Sequence, residues 1–396
     1  MADQAMNAAQ LNSIARAAIN ARAVKMCQQI YSNNVVPANT PTITVNPRNV
    51  GLVKGFWVKT VATISNGSAV QINLTDFGPA NSLSQIQFND LNNITRIQTP
   101  GWHLHFVNSE KARRPFGTAF VRTTGFDSPV DYGSNWGTQI SAPSTIAAAG
   151  TGTVVMWYWV PLAYGDSDLR GAVYANVVNA TMQLNLSFPG SNGVSVAVAS
   201  GADSTLALYV GNAAGSVAAV TITNMLVTVY QVYMDQIPSD PKLGLLLPII
   251  DLATIYELKQ TVQTAVTAGQ DFPYQYANFR DFLSTTAVYV NTGATGARGT
   301  GADINYWALQ SANFTNIWKK EPALIALETR NYCGVDFPPG VYYFSTRERP
   351  ISTNQYGNMQ LILNPITAGA GAYQLIGVED LALRQTLSMA GSLAAS

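Results

Sequence analysis

Two histidines separated by one residue form the sequence's nearest approach to a metal-binding pair. On a strand, His103 and His105 would point to the same face and could hold one cation. The chain has no other histidine, whereas a structural zinc usually takes four ligands and a catalytic zinc three. Because the bulky Trp102 and Phe106 flank the pair, we interpret both histidines as packed or hydrogen-bonded side chains. The sequence therefore predicts no metal site.

A glycine-rich segment resembles a phosphate-binding loop in composition alone. Its glycines stand at positions 293, 296, 299 and 301. This spacing matches neither GxGxxG nor GxxxxGK[ST], and the segment contains no lysine. We predict a surface loop here.

Pairs of neighbouring acids could in principle perform acid–base chemistry. Asp166 with Asp168 and Glu379 with Asp380 are two such pairs, but neither has a recognisable partner. With two histidines and no nucleophile motif, the chain has almost no material for a hydrolytic triad. The sequence predicts no catalytic residue, no cofactor and no enzymatic activity.

Three consecutive aromatic residues could form a sugar-stacking platform. On a strand, however, Trp157 and Trp159 point one way and Tyr158 the other. The run 153–160 is apolar on both faces, which is typical of a strand covered on both sides. We predict core or inter-subunit packing, with a sugar site as the alternative.

Most of the elements that would position these residues are short strands. Residues 56–64 alternate with period two and end at the turn Asn66-Gly67. Residues 221–233, 340–344 and 359–363 also have strand character, and the segment 190–216 has the composition of long exposed loops. Many strands with isolated helices indicate β-sandwiches rather than βαβ units.

Helical signals are few. We predict a helix over 252–265, capped by Asp251, and another over 321–331, with Pro322 in its first turn and Leu324 and Leu327 inward. The stretch 274–283 is ambiguous between helix and strand.

The N-terminal segment differs in composition from the rest of the chain. Residues 3–30 are rich in helix formers and lack Gly and Pro, so they predict a helix. Prolines at 37, 41 and 47 then indicate an extended linker. Arg16, Arg22 and Lys25 contribute to a net charge of about +5 over residues 1–75. This charge predicts an anionic neighbour, lipid or nucleic acid, and the alternative is a solvated basic arm.

Charge is scarce in the chain as a whole. Charged residues make up 11% and the formal net charge is zero, whereas soluble domains average about 25% charged residues. A free monomer of this composition would associate readily. The composition therefore favours a subunit that buries much of its surface against copies of itself.

No membrane-spanning or export segment is predicted. The sequence has no uninterrupted apolar run of about 18 residues and no secretory pattern at its N-terminus. Cys27 and Cys333 stand outside any metal or redox motif, so we expect reduced thiols.

Ten sequence blocks, in order from about residue 50 to 365, resemble the tectivirus major capsid protein family. No single block contains a catalytic motif, so the resemblance is specific because of the number and order of the blocks. The blocks are VKGFWVK at 53–59, LTDFGPAN at 74–81, GWHLHFVN at 101–108, WVPLAY at 159–164, GAVYAN at 171–176, LPIIDL at 247–252, QYAN at 275–278, ADINY at 302–306, DFPPGVYY at 336–343 and QYGN at 355–358.

The resemblance implies an all-β fold, with two jelly-roll sandwiches per chain, a few short helices and an N-terminal helix. The expected divisions are an N-terminal helix and proline-containing arm (1–46), a first jelly roll (47–240), a second jelly roll (241–385) and a C-terminal tail (386–396).

The resemblance also implies a function. A major capsid protein of this family forms trimeric, pseudo-hexagonal capsomers that tile an icosahedral shell around an internal membrane vesicle. It is expected in the virion shell, assembled in the host cytoplasm, with itself, minor capsid, vertex and membrane-associated viral proteins as partners. The arm residues Arg16, Arg22 and Lys25 would face the membrane, and no specific nucleic-acid binding is expected. The alternatives are a sugar- or receptor-binding sandwich and a cupin-like enzyme.

Overall fold

The computed structural model describes fourteen stretches of the chain. They are residue 14 and residues 17–75, 78–111, 142–165, 168–176, 180–189, 207–211, 220–238, 254–266, 269–291, 301–333, 340–346, 350–366 and 373–385.

Strands dominate these residues, as the sequence predicts for an all-β protein. In chain order they are β1 Val24–Val35, β2 Thr42–Val45, β3 Leu52–Asn66, β4 Ile72–Leu74, β5 Gln85–Asn89, β6 Thr95–Thr99, β7 Thr145–Ile146, β8 Thr151–Pro161, β9 Val173–Tyr174, β10 Gln183–Ser187, β11 Tyr209–Gly211, β12 Val220–Asp235, β13 Thr254–Val266, β14 Phe272–Gln275, β15 Asp281–Asn291, β16 Ile304–Ser311, β17 Trp318–Lys320, β18 Val341–Ser345, β19 Ile351–Ser352, β20 Met359–Pro365 and β21 Tyr373–Gln385. The helices are α1 Gly101–Lys111, α2 Pro322–Cys333 and α3 Thr353–Tyr356, with 3-10 turns at Gly78–Ser82 and Gly301–Asp303.

The first jelly roll contains a sheet with the strand order β1-β12-β3-β8, to which β9 adds beside β3. We call it sheet A. Its long strand β3 alternates between buried and partly exposed positions and ends at Asn66, as predicted. The Asn66 amide donates to the carbonyls of Val70 and Ala147, both at 2.9 Å, and this fixes the turn.

A nine-stranded sheet runs through both sandwiches. Its strand order is β18-β15-β21-β13-β6-β5-β10-β2, with β19 beside β15. One half packs on sheet A, where Phe56 lies 5.4 Å from Phe88. The other half packs on the four-stranded sheet β14-β20-β16-β17, around Trp307. The result is two jelly rolls joined by the parallel pairing of β6 with β13.

The helix predicted over 252–265 is wrong, because Thr254–Val266 forms strand β13. Its consecutive residues Ile255, Tyr256, Glu257 and Leu258 are all buried. A central strand covered on both faces lacks the polar–apolar alternation, so its pattern could not be distinguished from a buried helix.

The N-terminal helix ends earlier than predicted. Residues 17–22 are helical, but residues 24–30 belong to β1, which pairs antiparallel with β12 from Val24 opposite Asp235 onward. The Lys, Met and Gln residues of this segment are good helix formers, but the segment gains backbone partners in the sheet, and this outweighs their helix preference. The later part of the predicted arm is therefore a strand of sheet A.

The helix predicted over 321–331 is confirmed as α2, but its predicted orientation is wrong. Ile325 is buried, whereas Leu324 and Leu327 are 44% and 55% exposed. The helix has apolar residues on two sides, and the sandwich covers the side that carries Pro322, Ile325 and Thr329.

The structure also shows the conformation of two further segments. The ambiguous stretch 274–283 forms the end of β14, a turn and the start of β15. Within the predicted loop region 190–216, residues 207–211 are instead buried, and Tyr209 pairs with Leu74 of β4. The remainder of that region lies outside the described residues.

Within the described stretches, no helix combines the length and the apolar character that crossing a bilayer requires.

Candidate assembly surface

The outer face of sheet A carries three tryptophans and a tyrosine. Trp57 on β3 lies opposite Trp159 on β8 and Tyr230 on β12. In the neighbouring row, Lys59 lies opposite Trp157. All five side chains are only partly buried. We call these five residues the tryptophan face.

The rings of the tryptophan face form one connected cluster. The Trp57 centroid lies 4.9 Å from that of Trp159 and 6.4 Å from that of Trp157. The Trp157 ring in turn stacks on Tyr230 at 6.1 Å, with an interplanar angle of 19°. The Lys59 ammonium lies 5.3 Å from the Trp157 ring, within the range of a cation–π contact. Mutual contact holds the rings in place but leaves their outer surfaces uncovered.

A glycine makes room for part of the cluster. Gly55 lies on β3 beside the Trp159 indole, and a Cβ atom at this position would come within 2.7 Å of that ring. Such a distance is too short for a carbon–carbon contact. The absence of a Cβ at this position therefore leaves space for the Trp159 indole.

The inner face of the same strands is core. Tyr158 is fully buried, and its hydroxyl donates to the Ala80 carbonyl at 2.8 Å and contacts the Ser82 hydroxyl at 2.7 Å. Burial raises the pKa of Tyr158 above its ordinary value. The predicted separation of Tyr158 from Trp157 and Trp159 is confirmed. Among the described residues only the inner face is fully buried, and packing of the outer face against another subunit stays a prediction.

The size of this face suits a stable interface. Four strands about 4.8 Å apart and eleven residues long present roughly 700 Å². Each partner in a standard stable interface contributes about 800 Å². Trp and Tyr are also the residues that most often carry binding energy at such interfaces. An antiparallel sheet that faced water would have polar residues here instead.

The basic residues of the arm lie where sheet A ends. Arg22 and Lys25 are exposed, whereas Arg16 lies outside the described residues. Three residues before Arg22, Ile19 is buried in a small cluster that includes Leu52 and Met234. The helical segment is therefore anchored to the first jelly roll next to two exposed cations.

The two histidines lie on helix α1, not on a strand, so the predicted shared face does not exist. Residues two apart on a helix point in different directions. His103 is buried, and its Nδ1 lies 2.9 Å from the Thr99 hydroxyl, which confirms a packed, hydrogen-bonded role. Burial lowers the pKa of His103 well below its usual value and that of His105 to about 4.

Four of the other residues considered for chemistry lie outside the described part of the chain. These include Asp166 and the glycines at 293, 296 and 299. Asp168 is described and forms an ion pair with Arg170 at 2.6 Å. The side chains of Glu379 and Asp380 are not described.

Sequence reasoning found Trp157 and Trp159 but missed Trp57 and Tyr230 as their neighbours. The alternation of β3 placed Trp57 on one side of a strand. Only the pairing register of β3 with β8 and β12 showed that Trp57 lies on the same face of the sheet as Trp157 and Trp159.

The histidine burial generates a prediction about acid stability. Folded chains keep both imidazoles neutral, whereas unfolded chains bind protons below about pH 6.5. The free energy of unfolding should thus fall as the pH drops from 6.5 towards 4. His105→Gln should reduce this slope by up to about 1.4 kcal/mol per pH unit, the value for one proton. Denaturant unfolding across this pH range measures the difference, and identical slopes for the two proteins would contradict the assignment.

Two family models of known proteins match this chain, one in each half. The family model of the P3 major capsid protein N-terminal domain matches residues 5–237, and that of the C-terminal domain matches residues 253–395. The major capsid protein P3 of Enterobacteria phage PRD1 is 42% identical over 383 residues, which cover 96% of this chain and 93% of that protein.

Solved structures agree on the fold. The major capsid protein of Sulfolobus Turreted Icosahedral Virus has a TM-score of 0.59 at 11% identity, covering 95% of this chain and 98% of that one. A chain of the PBCV-1 virus capsid has a TM-score of 0.52 at 11% identity, covering 92% and 96%. With matches spanning both halves and nearly the whole length of its relative, this chain belongs to the P3 major capsid protein family.

Proposed function

We propose that this protein forms a homotrimer whose subunits meet through the tryptophan face. In this proposal, trimers are the pseudo-hexagonal capsomers that tile an icosahedral shell around an internal membrane vesicle. Membership in the P3 major capsid protein family gives the chain a structural role in the virion capsid. Such a role requires contact between copies, and the tryptophan face is the single observation that carries the proposal.

Removing the partly exposed tryptophan rings from water favours association between subunits. Burying apolar area contributes about 25 cal/mol per Å². The described positions around the cluster are neutral, including Thr228, Thr63 and Val61. Lys59 adds a single charge whose alkyl chain lies along an aromatic ring. Covering this face therefore removes apolar area from water and desolvates few charges.

The same proposal assigns no catalysis to the chain. The relative from phage PRD1 is named for a structural role. Among the described residues, His103 is buried and hydrogen-bonded and Asp168 forms an ion pair with Arg170. Minor capsid, vertex and membrane-associated viral proteins are the further partners that we propose. Specific nucleic-acid binding is not part of the proposal.

We further propose that the basic arm faces the membrane. Each cation near an anionic surface contributes about 1 kcal/mol, so Arg16, Arg22 and Lys25 bind weakly in one chain. A trimer brings roughly nine such charges together, and a lattice multiplies them. Ile19 supports this arrangement because it fixes the helical segment to the jelly roll. A solvated arm or a nucleic-acid contact is the competing interpretation.

A sugar-binding sandwich is the second candidate function, because the same aromatic cluster could stack on a pyranose ring. The connected rings of Trp57, Trp157 and Trp159 are the observation that favours it. The two functions differ in what covers the face, a second copy or a glycan.

The tryptophan face should be required for trimer formation. Trp57→Glu places a charge at the centre of the contact, so we expect it to weaken association by at least about 2 kcal/mol, or roughly 30-fold. Sedimentation velocity at several micromolar concentrations measures this shift from trimer to monomer. Circular dichroism and thermal melting show whether the monomer is folded.

The matched control is Phe314→Glu, which adds the same charge at an aromatic residue that is 54% exposed and lies away from sheet A. It should stay trimeric. A trimeric Trp57→Glu protein would exclude this face as the contact, and a monomeric wild-type protein would overturn the trimer itself. A monomeric wild type stabilised by added oligosaccharide would establish the sugar-binding alternative.

Neutralising the arm should release the protein from anionic membranes. The arm is better tested by substitution than by deleting residues 1–30, because residues 24–30 belong to β1. Arg22→Gln/Lys25→Gln removes about 2 kcal/mol per chain, so we expect a loss of at least 30-fold in co-sedimentation with phosphatidylserine vesicles at low salt.

Lys319→Gln/Arg330→Gln is the control pair, with equal charge removed from the second jelly roll. It should bind vesicles as the wild type does. Vesicle binding that is indifferent to both salt and the arm substitutions would reject a membrane-facing arm.

A further inference from the structure

The two jelly rolls have the same strand order. Sheet A of the first is β1-β12-β3-β8, and the corresponding part of the nine-stranded sheet in the second is β13-β21-β15-β18. The opposing sheets are β2-β10-β5-β6 and β14-β20-β16-β17. The short strand β9 lies beside β3 as β19 lies beside β15, and a helix follows both β6 and β17. Each strand in these sheets therefore has a counterpart in the other jelly roll.

Within the chain, the two jelly rolls meet edge to edge. Strand β6 ends the sheet β2-β10-β5-β6 and pairs in parallel with β13, the first strand of the second jelly roll, with Ile97 opposite Leu258. Side chains support the pairing, because Tyr256 and Leu258 of β13 belong to the hydrophobic core of the first jelly roll. The Tyr256 ring also lies 6.0 Å from the ring of Tyr164. A short parallel pairing with side-chain contacts across it thus connects one jelly roll to the next.

The counterparts of these two strands have no such neighbour in the described part of the chain. Strand β17 is the counterpart of β6 and ends the sheet β14-β20-β16-β17. Strand β1 is the counterpart of β13 and ends sheet A. An edge strand presents a row of backbone N–H and C=O groups to which a strand of another chain can pair. Each chain therefore has the two halves of a second joint, one on each jelly roll.

The side chains of β17 do not block its edge. Lysines commonly protect an edge strand from pairing, and β17 carries two of them. The Lys319 ammonium, however, lies 3.5 Å from the centroid of the Tyr306 ring on β16. Lys320 forms an ion pair with Glu328 of α2 at 2.6 Å. Both charges are thus held against the subunit itself rather than projected from the edge.

We infer that β17 of one subunit adds in parallel to β1 of a neighbouring copy, and so repeats between chains the joint that β6 and β13 form within one. This inference rests on the proposed trimer and names a contact that would close it. A contact between two different surfaces produces a ring or an open filament rather than a two-fold pair. In a ring of three chains, six jelly rolls would be connected by six similar joints.

The joint would also bring a neighbouring jelly roll to the tryptophan face. Within the chain, the first jelly roll covers the side of β13 that carries Tyr256. The counterpart of β13 is β1, which belongs to sheet A. Gln29 of β1 is exposed and lies opposite Tyr230 of the tryptophan face. A docked β17 would therefore lie two strands, or about 10 Å, from Tyr230. The edge joint and the tryptophan face are adjacent parts of one interface in this arrangement.

The joint within the chain also predicts which residues meet between chains. Ile97 lies two residues before the end of β6, and Trp318 lies two residues before the end of β17. Leu258 is the fifth residue of β13, and Gln28 is the fifth residue of β1. Because Ile97 lies opposite Leu258, Trp318 should lie beside Gln28 of the neighbouring copy.

Thiol cross-linking of the full-length protein tests the joint. Cys27 directly precedes Gln28 and is exposed, so a cysteine placed next to Trp318 should lie within reach of it. We expect a short bismaleimide to join Cys27 of one Lys319→Cys chain to position 319 of another. Denaturing gels should then show linked species of two and three chains, and mass spectrometry identifies the two positions. Lys320→Cys supplies a second reporter on the same strand.

Two variants are matched controls. Cys27→Ser/Lys319→Cys removes the partner thiol. Phe279→Cys places an exposed cysteine in the turn between β14 and β15, and β14 is the opposite edge of the same sheet. Both should give about tenfold less linked product, because their thiols are not held near each other. Sedimentation velocity shows whether each protein is trimeric, and thermal melting shows whether it is folded.

The outcomes separate the joint from the trimer. Folded, trimeric Lys319→Cys and Lys320→Cys proteins that link no better than the controls would overturn the joint and leave the proposed trimer intact. Links from Cys27 confined to a single chain would overturn it equally, and linked species that continue beyond three chains would overturn the closed ring. A monomeric wild-type protein would overturn both the joint and the trimer.

Discussion

A sheet has two faces, and among the described residues only one face of sheet A is fully buried. Phe56 and Tyr158 lie in the core between the sheets, while Trp57 and Trp159, one residue away on the same strands, face outward. The alternation of side chains along a strand makes these two sets inseparable. In the proposed trimer, another copy of the chain covers these residues. This constraint is consistent with a chain that has few charges and a family that builds shells.

One continuous sheet joins the two jelly rolls. Strand β13 contacts β6 of the first sandwich and β21 of the second, so one hydrogen-bonded sheet spans both. Glu257 on β13 is buried and pairs with Arg280 at 2.6 Å. On the other side, Arg96 pairs with Asp90 at 2.7 Å and donates to the Gly171 carbonyl. Buried pairs of this kind are costly to break, because the remaining charge would lose its partner.

Whether the sequence predicted an element correctly depended on which faces of that element are buried. The alternation in β3 was predicted because one of its faces is core and the other is not. Strand β13 was mistaken for a helix because it is buried on both faces and keeps no alternation. The exposed side of α2 was misjudged because Leu324 and Leu327 resemble core residues when no partner is in view.

The second limit on prediction from the sequence was that it does not show which strands pair with each other. That residues 24–30 join sheet A depends on β12, some 200 residues later in the chain. The cluster around Trp157 likewise depends on the register between β3 and β8. Local propensity contains neither kind of information. The resemblance to a capsid family could predict two jelly rolls, but it could not say which face of which sheet remained uncovered.

The proposed trimer requires that another copy of this chain covers the tryptophan face. Electron cryo-microscopy of the purified, assembled protein tests it most directly, at a resolution that shows indole rings. The account predicts that Trp57, Trp157 and Trp159 lie within about 4 Å of atoms from a neighbouring subunit, the distance of apolar contact. A map of the assembly in which these three rings face open solvent would contradict it.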